Sequence, residues 1–114
     1  MNNEVISLEG TIFFDSWEQK KAIKKGILRR INNVEELIIE FDEPGCGTYT
    51  AQLKYSYDNV YTGSYLFDGN KNTGKASCQL YSYKDKIALI GDWLEDGSDC
   101  YWNAELQFVS KKQI

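Results

Sequence analysis

The chain alternates. From Thr48 to Tyr57 one set of positions reads Tyr49, Ala51, Leu53, Tyr55 and Tyr57, and the set between them reads Thr48, Thr50, Gln52, Lys54 and Ser56. From Cys100 to Val109 the apolar set is Cys100, Trp102, Ala104, Leu106 and Phe108, against Tyr101, Asn103, Glu105, Gln107 and Val109. In the segment from Ala76, the residues Ala76, Cys78 and Leu80 oppose Ser77, Gln79 and Tyr81. Successive side chains of a strand point to opposite faces. A period of two therefore predicts antiparallel strands with one dry and one wet face.

Turn residues divide the pattern. Breaks fall at Asn32-Asn33, at Asp42–Gly47, at Asp58-Asn59, at Asp68–Gly74, at Lys84-Asp85 and at Glu95–Asp99, with one more between Asp15 and about Lys24. Seven breaks predict eight strands, near residues 4–14, 24–31, 35–41, 48–57, 60–67, 75–83, 86–94 and 100–109. Strands at this regular spacing indicate an all-β sandwich or barrel. The segment "SWEQKKAIKK" (16–25) has two readings. Ser16 as N-cap, Gln19 three residues on and Gly26 as a stop would make a two-turn helix. Alternatively, the first two strands extend into a longer hairpin.

Short connections imply antiparallel neighbours, and closing an eight-strand meander removes its two exposed edges. The fold expected is a single all-β domain over residues 1–114, an eight-stranded up-and-down barrel. The turns at 32–34, 58–59 and 84–85 are tight, whereas 15–23, 42–47, 68–74 and 95–99 are longer. Because successive turns fall at alternating ends, one end is expected to be pinched and the other to form a mouth. This arrangement resembles the lipocalin and wider calycin-like group, whose barrels have their longest loop after the first strand. The resemblance implies a lumen that holds a small ligand. The lipocalin G-x-W signature is replaced in the first strand by Gly10-Thr11-Ile12; the one G-x-W is Gly91-Asp92-Trp93, in the seventh. A similar minimal barrel serves as the cyclic-nucleotide sensor of some bacterial anti-phage effectors, which implies a nucleotide-type signal among the candidate ligands.

Composition narrows the chemistry. At 114 residues, with 42% hydrophobic and 26% charged residues, the chain is long enough for one core. A net charge of −4 argues against general attraction to nucleic acid or to anionic membrane. The charge is uneven: residues 17–30 hold six basic residues and only Glu18 as an acid, which is +5 and leaves −9 elsewhere. That segment is either a solvated face or an anion-binding lip. No apolar run approaches the ~18 residues of a membrane span. No secretory signal precedes the first expected strand, and Cys46, Cys78 and Cys100 cannot all pair with one another. A cytoplasmic location with reduced thiols is the expectation. With no histidine, triads of the Ser-His-Asp and Cys-His types are excluded, and neither a metal nor another cofactor is expected. The stretch from Asp68 has EF-hand-like spacing at Asp68, Asn70 and Asn72, but Thr73 stands where Gly is required and Gln79 where a bidentate Glu is.

Asp92 is the most interesting acid. It shares a face with Ala88, Ile90 and Leu94, while the other face of that strand reads Ile87, Leu89, Gly91 and Trp93. Both faces are apolar, so Asp92 is either a lumen anchor or an outward acid. The aromatics carry the rest of the argument. Tyr49, Tyr55, Tyr65, Phe67, Trp93, Trp102 and Phe108 either fill the barrel or line a pocket. Buried Tyr and Trp need partners at their polar tips, which favours a pocket. The expected ligand site comprises Tyr49, Tyr65, Trp93 and Trp102 as an aromatic lining, with Lys24, Arg29 and Arg30 as a basic lip for a flat or amphiphilic anion. No enzymatic activity is expected. The other reading is a protein-interaction module, such as an inhibitor or immunity-type protein of bacterial or phage origin. Its contact surface would be the basic segment 20–30 with Tyr57, Tyr61 and Tyr101.

Overall fold

The computed structural model describes residues 3–16 and 19–114. Among the described residues nine strands form one antiparallel sheet: β1 (Glu4–Phe14), β2 (Lys21–Ala22), β3 (Lys25–Ile31), β4 (Val34–Glu43), β5 (Gly47–Tyr57), β6 (Val60–Phe67), β7 (Asn72–Tyr83), β8 (Lys86–Glu95) and β9 (Ser98–Gln113). Each strand from β3 to β9 pairs with the next, and β1 pairs with both β3 and β9. The meander is therefore closed. Strands β2 and β3 are two halves of one crooked strand along β1. Ala22 lies opposite Thr11, and Gly26 opposite Leu8. Between the halves, the Ile23 N–H donates to the Gly10 carbonyl at 2.9 Å and the Lys24 N–H to the Glu40 carbonyl at 2.7 Å.

Two expectations about the connections change. The helical reading of 16–25 fails where the chain is described: residues 19–25 hold no helix, and Trp17 and Glu18 lie outside the described residues. Extended pairing to β1 satisfies more backbone groups here than two helical turns would. The long turn expected at 95–99 is a two-residue turn, with Asp96 at φ 52° and Gly97 at φ 79°. Positive φ at both central residues matches the right-handed twist of the flanking strands, as it does at Asn32-Asn33 and Asp58-Asn59. Strand β9 runs beyond residue 109 to Gln113, opposite Glu4 of β1, after a register shift between Ser7 and Leu8. Its polar end shows no alternation in sequence; the backbone of β1 holds it.

Inward positions stack in three layers. The middle is aliphatic, with Ile12, Leu37, Ile39, Leu53 and Leu89 fully buried. The loop-bearing end is aromatic. The hairpin end is ionic. On β8 the inward face is Ile87, Leu89, Gly91 and Trp93, so Asp92 points outward with Ile90 and Leu94. Phe108 and Tyr55, expected inside, are 41% and 45% exposed, because they lie near the hairpin end where the wall frays into turns. Conversely, Tyr61, expected on a contact surface, is 2% exposed, since it shares the inward parity of Tyr65 and Phe67. A register shift beyond Tyr55 leaves Tyr57 exposed. None of the three cysteines is paired, and burial pushes the Cys78 thiol up to about 12.

Glycine permits the tight coiling. At Gly91 a Cβ would stand 1.9 Å from the Ser77 carbonyl oxygen and 2.8 Å from the Cys78 Cα. At Gly10 it would meet the Glu105 carbonyl oxygen at 1.9 Å. Those contacts are backbone and cannot swing aside. Gly91→Ala is therefore expected to lower stability by about 2 kcal/mol, as overpacking does, read as a lower urea midpoint. An unchanged midpoint would mean that β8 straightens freely at this position.

Candidate functional site

The aromatic end is built by six strands. Phe14 closes β1, Phe41 lies late in β4, Tyr49 opens β5, Tyr65 and Phe67 end β6, Trp93 ends β8 and Trp102 opens β9. Antiparallel order brings these strand ends to the same end of the barrel. Trp93 is the hub. Tyr65 stacks on it at 4.2 Å, Phe14 meets it edge-on at 5.0 Å, and Trp102 stands edge-on at 6.1 Å. Tyr49 stacks between Phe67 at 4.3 Å and Phe41 at 5.0 Å. The four expected lining residues Tyr49, Tyr65, Trp93 and Trp102 do come together. They form a packed plug, with Trp93 and Tyr65 each 1% exposed.

The polar tips are satisfied by the chain itself. The carboxylate of Glu95 accepts from the Tyr49 hydroxyl at 3.0 Å and from Trp93 Nε1 at 3.1 Å. Trp102 Nε1 donates to the Asp92 carbonyl at 3.0 Å, and the Tyr65 hydroxyl to the Leu94 carbonyl at 3.1 Å. Among the described residues no buried side-chain polar atom lacks a partner. Of the two tryptophans that flank the acidic turn, Trp93 takes its acceptor from Glu95 at the turn's edge, and Trp102 takes its acceptor from the backbone of β8. Above the plug is a shallow hollow of about 360 Å³, lined by Phe14, Phe41, Tyr49, Glu43, Glu95 and Asp96 among others. Its charged residues are all acidic.

The expected basic lip is not assembled at this mouth. Arg30 lies opposite Glu4 and Glu35, one position from the pair that closes the β3–β4 hairpin, so it stands at the other end of the barrel. There it points inward, sharing the parity of Leu28, and bonds both Glu4 and Glu35. Glu35 also accepts the Tyr61 hydroxyl, and Lys111 reaches Glu4 at 2.9 Å. This chain of two cations, two carboxylates and a phenol has no net charge to offer an anion. Its two salt-bridging cations hold the Glu4 carboxyl below its ordinary 4.5, with the Lys111 hydrogen bond as the largest cause. Arg29 lies on the outer wall against Glu36, and Lys24 lies 3.6 Å from Asp42 and 3.9 Å from Glu40. The exposed Lys24 pairs are worth under about 1 kcal/mol, whereas Glu36 is buried beside Arg29. By contrast each buried ring contributes roughly 2–3 kcal/mol, so the aromatic plug dominates. Glu4, Glu35 and Lys111 gave no signal in the alternation, since their partners come from different strands, whereas the inward parity of Tyr61 was there to be read.

A larger hollow than the one at the mouth lies outside the barrel. It occupies about 790 Å³ and reaches from Tyr81 and Tyr83 of β7, across Ala88 of β8 and Glu105 of β9, to Gly10 of β1 and Ala22 of β2. A second hollow of about 390 Å³ adjoins it, sharing Ala88 and Glu105 and extending to Phe13, Ile90 and Tyr101. The tightly coiled positions Gly10 and Gly91 each line one of the two. Tyr101 was an expected contact residue, and it is 70% exposed here. Comparison with protein-family models finds no match, and comparison with curated proteins finds no significant relative.

Two measurements probe the plug. Glu95→Ala strands the Tyr49 hydroxyl and the Trp93 indole, and is expected to cost about 1–3 kcal/mol, with a shift in tryptophan emission. Unchanged stability and emission would show that the rings do not depend on Glu95. The phenols of Tyr49, Tyr61 and Tyr65 are all raised, chiefly by burial, with Tyr65 at about 12. Burial thus favours the neutral form in the folded state. The stability this supplies is complete below the unfolded value of 10.0 and declines as pH rises above it. An alkaline absorbance titration is expected to show these tyrosines ionising together with unfolding. Reversible ionisation of all eight tyrosines near pH 10 in a folded chain would contradict it.

Proposed function

We propose that this protein is a non-catalytic interaction module that binds a protein partner through the outer wall of β8, β9 and β1. The observation that carries this reading is the placement of its hollows: the concavity on the outside, across five strands, has about twice the volume of the one at the mouth. Inside, each end is occupied by side chains that satisfy one another. A ligand in the lumen would have to displace rings from Trp93 or break the Glu4–Arg30–Glu35 chain. At the mouth it would meet Glu95, Asp96 and a Glu43 already bonded by Lys21, in place of the expected basic lip. The wall, in turn, presents Tyr81, Tyr83, Ile90 and Tyr101 to solvent, all more than half exposed. Tyrosine suits such a surface because it offers large contact area with a polar tip and few torsions to freeze.

Two experiments test the proposal. Native mass spectrometry is expected to give the mass of the bare polypeptide; a stoichiometric small molecule in the spectrum would restore the lumen reading. Ala88→Arg, which places a large charged side chain in both hollows, is expected to abolish capture of partner proteins from an extract of the native host, with thermal unfolding unchanged. Identical capture by both forms would move the working surface elsewhere.

A further inference from the structure

We infer that the free edge of β9 beyond Phe108 takes up an extended acidic segment of a partner protein as an added strand. The inference goes beyond the wall reading and does not rest on it, since no residue from Phe108 to Gln113 lines either outer hollow. It stands on the unpaired backbone of that edge and on the position of its lysines.

Strand β9 outruns β8. The last pair between them is Lys86 with Gln107, followed by the Phe108 N–H, which donates to the Asp85 carbonyl at 2.9 Å. There the chain turns between β7 and β8 at Lys84-Asp85, while β9 continues along β1 to Gln113. On its β8 side β9 makes no further backbone bond among the described residues. The Ile114 N–H donates to the Asn3 carbonyl at 3.0 Å, so alternation along the pair turns the backbone of Lys112 and Ser110 toward β1. The N–H and C=O of Lys111 and Gln113 therefore face the open side. Every residue from Gln107 to Ile114 is exposed. An extended segment laid alongside can pair its own backbone with those groups, as strand addition does. A helix, whose backbone groups are spent within it, could not.

Lysine selects the occupant. Antiparallel addition places one side chain of the new strand directly across from Lys112, at the close spacing of a non-hydrogen-bonded pair. Lys112 lies opposite Val5 of β1 and has no ion-pair partner among the described residues. Lys84, at the turn that heads the slot, lies 5.3 Å from the centroid of the Tyr83 ring and likewise has no acid partner among the described residues. Asp85 is the one acid of that turn. Lys111 is already held by Glu4 at 2.9 Å, and Lys86 shares the larger hollow with Glu9 and Glu105. The charge left over along the slot is positive, and an Asp or Glu across from Lys112 answers it. Phe108 and Val109, bare where β8 has ended, give the added strand apolar contact at the head of the slot. A second copy of this chain fits badly. Antiparallel self-pairing of Lys111 with Gln113 sets Lys112 against Lys112, and the register centred on Lys111 sets that residue against itself. Like charges directly across a ladder repel. Edge lysines of this kind deter joining of identical copies, and the same lysines admit an acidic strand.

The test uses the intact protein with three fluorescein-labelled peptides of about eight residues, enough to cover the slot at about 3.3 Å per residue. One alternates Val with Glu, one alternates Val with Lys, and the third is the Val/Glu peptide N-methylated at each Val. The third keeps every side chain and loses the N–H groups that would face Lys111 and Gln113. Fluorescence anisotropy is expected to show the Val/Glu peptide binding at least about tenfold more tightly than either of the others, with affinity falling as salt is raised. Lys112→Glu is expected to reverse the preference between the Val/Glu and Val/Lys peptides. Gln113→Pro, which removes an outward N–H and leaves the ladder to β1 intact, is expected to weaken Val/Glu binding at least about tenfold with circular dichroism unchanged. Amide exchange at Lys111 and Gln113 is expected to slow when that peptide binds, while that at Lys112, already turned to β1, stays as it was. Absence of Val/Glu binding overturns the inference, as do equal affinity for the three peptides and binding without slower exchange at Lys111 and Gln113. A dimer of the protein that Gln113→Pro dissolves, in place of peptide binding, also overturns it. Val/Glu binding that Ala88→Arg abolishes and Gln113→Pro leaves intact overturns it in favour of the wall. Binding lost in Gln113→Pro and kept in Ala88→Arg supports it, whatever becomes of capture from the host extract.

Discussion

Pairing of β1 with β9 is the contact on which everything else depends. It joins residues near the two ends of the chain over the whole of β1, from Glu4 opposite Gln113 to Phe14 opposite Trp102. Without it the meander would have two open edges and two half-made plugs. With it Phe14 is carried to Trp93 and Trp102 at one end, and Glu4 to Lys111 and Arg30 at the other. The contact is also the most non-local in the fold, so its loop-closure entropy must be offset by what it brings together. The register shift between Ser7 and Leu8 accommodates both ends, because it lets the aromatic and the ionic pairs meet in one continuous strand.

Closure makes the lumen narrow, and a narrow lumen must be filled. The chain fills it with two chemistries. Aromatic rings serve the loop end, where strand ends arrive together and a large flat group closes the most space. Their polar tips point to the rim and meet Glu95 and the carbonyls of Asp92 and Leu94. Ionic groups serve the hairpin end, where Glu4 is buried yet touches two cations. A buried charge is tolerable only when it is paired and hydrogen-bonded, and here each carboxylate is. The ionic end is therefore neutralised from within, and the polar tips of the aromatic end are hydrogen-bonded from within.

The same coiling shapes the outer surface. Residues without a Cβ stand at Gly10 and Gly91, where strands press against their neighbours, and those two positions line the two external hollows. Around them the outward parity leaves Ala88 and Ile90 on β8 and Phe13 on β1, with acids at intervals. One constraint thus runs from glycine placement, through strand curvature, to a concave face on what would otherwise be a convex wall.

Alternation over Thr48–Tyr57 and Cys100–Val109, with turn residues such as Asn32-Asn33 and Asp58-Asn59, was enough to read eight antiparallel strands and their closure into a barrel. Those are local properties: side-chain parity and left-handed turn conformations are written in neighbouring residues. It was also enough to place Tyr49, Tyr65, Trp93 and Trp102 in one cluster, since antiparallel order fixes which strand ends meet. Parity did not reveal which face of β8 is inward, because both are apolar, nor that Arg30 turns inward to Glu4 and Glu35. It did not expose the outer hollow either, whose lining comes from five strands. Charge pairing and concavity depend on distances between residues far apart in the chain, and only the tertiary structure sets those distances.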